Sequence, residues 1–77
     1  MANSSGPDAK IRAQRALADS PIYDLRALQV EYVDDALLIS GRVETFYHKQ
    51  LAQEVVRNVA HGVPVVNSID VEYAQYA

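Results

Sequence analysis

The side chains best suited to acid–base or metal chemistry in this 77-residue chain are His48 and His61. Both fall on one helical stretch and stand thirteen positions apart, roughly 20 Å along a helix, so they cannot share a metal within one chain. His48 reads as a histidine at the rim of a core rather than a catalytic base. Ser40 has no nucleophile context, because Gly-x-Ser-x-Gly is absent and no histidine can be assigned to it. No phosphate loop or dinucleotide fingerprint is present. With no cysteine in the chain, disulfides, thiolate metal sites and thiol nucleophiles are excluded. Asp34 and Asp35 could hold a hard cation with backbone carbonyls, and Asp24 could join them. The same two residues also make an ordinary turn, and calcium-loop spacing is missing. The expectation is a protein without a cofactor, a resident metal or an enzymatic activity.

The charge balance narrows the partners. The net charge is −3. Residues 1–21 hold three cations (Lys10, Arg12, Arg15) against two anions, whereas residues 22–77 hold four cations against eight anions. An acidic domain is poorly matched to duplex nucleic acid, whose phosphates need clustered Lys and Arg. It is equally poorly matched to strong electrostatic docking on anionic lipid. The longest apolar run, Ala36-Leu37-Leu38-Ile39, is far short of the ~20 residues that span a bilayer. The first ten residues lack the basic and apolar segments of a secretory peptide. A soluble chain that starts in the cytoplasm is therefore expected.

Patterning supplies the elements that would position any site. Residues 1–8 read as a disordered tail, with Pro7 and Asp8 suited to a helix start. A first helix to about Ala18 offers a thin apolar face of Ile11, Leu17 and Ala18, interrupted by Gln14, and Ser20-Pro21 ends it. Leu28, Val30 and Tyr32 alternate with Gln29 and Glu31 in a strand over 27–33, and Asp34-Asp35-Ala36 turns the chain. In the return strand, Leu37, Ile39, Gly41 and Val43 share one face, while Leu38, Ser40 and Arg42 share the other. Thr45 is an N-cap for a second helix carrying Leu51, Ala52, Val55, Val56 and Val59, and Gly62 is its C′ residue. A third strand follows Pro64, with Val65, Asn67, Ile69, Val71 and Tyr73 on one face. The spacing predicts an α+β domain over residues 9–73, α-β-β-α-β, with a three-stranded mixed sheet and both helices on one face. Residues 74–77 form a C-terminal tail.

Three segments carry a resemblance to a known family: Leu28-x-Val30 with the Asp34-Asp35 turn; Leu37-x-Ile39-Ser40-Gly41-x-Val43; and Gly62-Val63 ahead of Val65-x-Asn67-x-Ile69-x-Val71. Together with Ala52, Val55 and Val59, they resemble the BON domain, the module named for bacterial osmotic-shock and nodulation proteins. The turn departs from the family, which usually places a glycine where Asp35-Ala36 stands. The resemblance implies a non-catalytic binding module that associates with phospholipid or envelope surfaces. It also implies relatives that are often periplasmic and that often carry two copies or another domain.

Two contact regions follow. Lys10, Arg12 and Arg15 on the slightly basic first helix could meet lipid, aided by exposed rings such as Tyr47 and Tyr76, with Tyr32 and Tyr73 in the core. Alternatively, the unroofed sheet face, centred on Leu38, Ser40, Arg42, Val66, Ser68 and Asp70, could bind another protein or a second copy without lipid. The oligomeric state is left open. A glycine inside a strand points to a close backbone neighbour or a bulge. At Gly41 the expected neighbour is one of the helices, with a bulge as the alternative.

Overall fold

The computed structural model describes residues 5–72. In order, these form helix α1 (Gly6–Ala18), a one-turn helix α2 (Tyr23–Arg26), strand β1 (Gln29–Val33), strand β2 (Ala36–Val43), helix α3 (Phe46–Ala60) and strand β3 (Val65–Val71). The sheet order is β1-β2-β3. β1 and β2 are antiparallel, and β2 and β3 are parallel. Parallel neighbours need a long crossover, and α3 supplies it. The predicted α-β-β-α-β order is therefore present, and α2 is an addition that the sequence pattern did not suggest.

The first helix begins earlier than expected. Ser5 Oγ accepts the Asp8 N–H at 3.1 Å and caps α1, so residues 6–8 are already helical. Pro7 sits where its missing N–H costs nothing, and Asp8 meets the positive end of the helix dipole. Gly6 is buried, and a Cβ there would run into the Tyr32 ring, so the helix start rests directly on β1. Tyr73, Tyr76 and the expected C-terminal tail lie outside the described residues.

The apolar face of α1 also differs from expectation. Gly6, Ala9, Ala13 and Leu17 are the buried positions, whereas Ile11 and Ala18 are exposed. Ile11 lies six residues before Leu17, about 120° away around the helix. Small residues win the inner face because they let the backbone approach the sheet and α3 closely. Arg12 then reaches across, its Nε donating to Val59 O at 2.8 Å.

The core lies between the helices and one face of the sheet. Leu17, Leu25, Leu28, Val30, Leu37, Ile39, Val56 and Ile69 are all essentially inaccessible to solvent. Each such side chain contributes about 1.5–3 kcal/mol relative to exposure. The hairpin turn is Asp34-Asp35, with φ of 51° and 64°. Both lie in the left-handed region, the geometry that a two-residue hairpin favours and that aspartate tolerates.

Gly41 corrects a specific expectation. Its nearest neighbour is neither helix: a Cβ there would lie 2.8 Å from Leu28 Cδ2 and 3.5 Å from Leu28 Cα. Its pairing with Ile69 is in register, and β1–β2 pairing stops one residue earlier, at Gln29↔Ser40. Its φ is +128°, which strains any other residue. Gly41 is where the segment leading into β1 peels away from β2.

Candidate functional site

The outer sheet face is built as the alternation implied. The register sets Leu38 beside Val66, Ser40 beside Ser68, and Arg42 beside Asp70. Glu31 and Gln29 of β1 extend the first two rows. The surface therefore grades from an apolar pair, with Val66 47% exposed, through hydroxyls to charges. Arg42 Nη1 bonds Glu72 Oε1 at 2.8 Å across the exposed rim. None of the six central residues is buried.

The three cations of α1 do not form one patch. Lys10 Nζ lies 3.8 Å from Glu31 Oε1 on β1. Arg12 turns the other way, to the carbonyl of Val59 on α3. Arg15 is exposed between them. Lys10 and Arg12 diverge because two positions along a helix are roughly 200° apart, whereas Lys10 and Arg15 border the same shallow groove with Ile11, Gln14 and Ala18.

The groups with chemical potential serve structure. Asp24 Oδ2 accepts the Glu44 N–H at 3.1 Å and lies 3.0 Å from His48 Nδ1. An ionised carboxylate can only accept, so the imidazole Nδ1 is the donor. Thr45 Oγ1 accepts the His48 N–H at 3.0 Å and caps α3. Asp24 is thereby committed at the far end of β2 from Asp34 and Asp35. Asp35 Oδ1 instead accepts the Tyr32 hydroxyl at 3.1 Å. That bond, then loss of hydration, then the Asp35 charge raise the tyrosine pKa above its ordinary value. Among the described residues, no three His, Asp or Glu side chains are grouped to hold a metal.

The clamp on Asp24 has a further effect. It draws the start of α2 against the first turn of α3, so Tyr23, Phe46 and Tyr47 lie at the same end of the molecule. They are 81%, 61% and 68% exposed. The Tyr47 ring centroid is 5.8 Å from that of His48. Tyr47 was an expected surface ring. The grouping with Tyr23 and Phe46 was not expected, because the contact joins residues some twenty positions apart and hangs on one carboxylate.

The family model of the BON domain matches residues 7–73. The chain belongs to the BON domain family. No curated protein matches it. BON domains are binding rather than catalytic modules, and phospholipid binding is the role ascribed to them. Among the described residues, no helix is long and apolar enough to cross a membrane.

In this BON domain, the residues that carry the family pattern are mostly structural. Gly62 has φ of +91° and open space around it, so the backbone angle rather than crowding requires glycine. His61 before it is the left-handed cap of α3. Asn67 Nδ2 donates to Lys49 O at 2.9 Å and to Gln53 Oε1 at 3.1 Å, while its Oδ1 accepts the Ile69 N–H at 3.1 Å. One carboxamide thus ties β3 to α3.

Gln14, which interrupts the apolar pattern of α1, has the matching duty at the other edge. Its Nε2 donates to Leu28 O at 2.8 Å, and its Oε1 accepts the Val30 N–H at 2.9 Å. A carboxamide inside an apolar helix face was the signal for this role.

Proposed function

We propose that this BON domain is a peripheral phospholipid-binding module that meets the bilayer through the aromatic end formed by Tyr23, Phe46 and Tyr47. The supporting observation is the exposure of three large rings at one end. Amphipathic rings suit the boundary between headgroups and acyl chains. The charges near these rings in sequence are balanced, Asp24 and Glu44 against Arg26 and Lys49. Binding then rests on ring burial rather than on attraction to anionic lipid, in keeping with a net charge of −3. Lys10 and Arg12 contribute little because Glu31 and the Val59 carbonyl engage them.

Co-sedimentation with phosphatidylcholine and phosphatidylglycerol vesicles tests this reading. Binding to both is expected, with weak salt dependence and with loss on the triple change Tyr23→Ser, Phe46→Ser, Tyr47→Ser. Failure to bind either vesicle removes the proposal. A second reading rests on the unroofed Leu38–Val66 pair: the sheet face would seat another protein or a second copy. A strictly monomeric light-scattering profile at high concentration leaves self-assembly through that face without support.

A further inference from the structure

A groove runs between α3 and the outer edge of β3, apart from the outer sheet face, with Phe46 at one end of it. Two adjoining cavities of about 510 and 310 Å³ mark it, sharing Gln53. Phe46, Lys49, Gln50, Gln53 and Arg57 line it from the helix, and Val65 and Asn67 from the strand. No Asp or Glu lines either cavity, in a chain with ten acidic residues. Neither Lys49 nor Arg57 makes an ion pair among the described residues.

The strand edge beside the groove has open backbone groups. Leu37 N–H donates to Pro64 O and Glu72 N–H to Val43 O, both at 2.8 Å. In a parallel ladder, those bonds turn the even-numbered peptide groups of β3 toward β2 and the odd-numbered ones outward. Asn67 Oδ1 occupies the Ile69 N–H. The N–H and C=O groups of Val65 and Asn67 remain directed into the groove's open side.

We infer that this groove takes an acidic peptide in extended form, added as a fourth strand along Val65–Asn67 with its carboxylates against Lys49 and Arg57. Strand addition uses alternating donors and acceptors, which a peptide has and a lipid headgroup lacks. Spacing sharpens the partner. Lys49 and Arg57 stand eight residues apart, roughly 12 Å along the helix. Acidic residues four apart in a strand lie on one face and about 13 Å apart. The partner is therefore a segment with Asp or Glu at i and i+4 between β-formers, and the residues that read its charge, Lys49 and Arg57, are not among the three rings proposed to meet lipid.

The probe is a blocked Thr-Asp-Val-Thr-Val-Asp-Thr peptide titrated into the isotopically labelled full chain and followed by amide resonances. Expected are shifts and slowed exchange at the Val65 and Asn67 amides. Affinity should weaken about tenfold in Arg57→Glu or Lys49→Glu and with added salt. Arg57 is exposed, so its replacement leaves the fold intact for the comparison. Equal binding of the same peptide with Lys in place of Asp would overturn the inference. So would shifts confined to other elements, or responses of these amides to phosphatidylglycerol vesicles but not to the peptide.

Discussion

The two edges of the sheet are finished in different ways. At β1, Gln14 holds Leu28 O and the Val30 N–H together, as one residue of a parallel neighbour strand would. Lys10 pairs with Glu31, and the start of α1 rests on Tyr32. At β3, the corresponding carboxamide, Asn67, meets only the Ile69 N–H on the strand and spends its other bonds on α3. The first edge is capped at Leu28 and Val30, and the second is half open. Unpaired strand edges invite pairing with other chains. An edge capped in this way disfavours strand addition, whereas a half-open edge leaves backbone groups that an added strand could pair with.

The sharpest way to break this contrast is Gly41→Val. The new side chain would collide with Leu28, whose carbonyl Gln14 holds, and would be forced into a backbone conformation with φ of +128°. Overpacking and strain each cost about 1–3 kcal/mol, so a loss of roughly 3 kcal/mol or more is expected in urea unfolding. An unchanged midpoint would refute the packing argument.

Gln14→Leu tests the seal itself. It leaves Leu28 O and the Val30 N–H without their partner at a partly buried site, which costs about 1–3 kcal/mol. Hydrogen exchange should quicken at Val30 while Ile69 keeps its protection. Equal protection in both proteins would mean that the carboxamide does not close the edge.

The smallest effect concerns the hairpin beside the sealed edge. Tyr32 has a raised pKa, mainly because its hydroxyl donates to Asp35. A raised folded-state pKa gives a contribution that is complete below the ordinary tyrosine value of about 10 and is lost as pH rises through the folded value. In an ultraviolet titration, Asp35→Ala should let Tyr32 ionise at lower pH, with Tyr32→Phe identifying its signal. Identical titration of Asp35→Ala and the parent would show that the bond does not persist in solution.

Much of the fold follows from local chemistry that the sequence displays. Alternation in 28–32 and 37–43, the Thr45 cap and the Gly62 stop each act over a few residues, and the three strands and α3 lie within a residue or two of their expected bounds. The six sheet-face positions were legible for the same reason, since a period of two assigns side chains to faces before any packing is known.

The tertiary structure alone decided what depends on contact between distant residues. It turned α1 onto its small side chains rather than Ile11, because close approach to the sheet outweighs the burial of one larger group. It made Gln14 a strand surrogate, sent Lys10 to Glu31 and Arg12 to the Val59 carbonyl, and tied the start of α2 to the first turn of α3 through Asp24. The physical reason is range. Propensity and patterning act between neighbours in the chain, whereas the direction of a side chain on a packed helix is set by whatever backbone group or carboxylate the fold brings beside it.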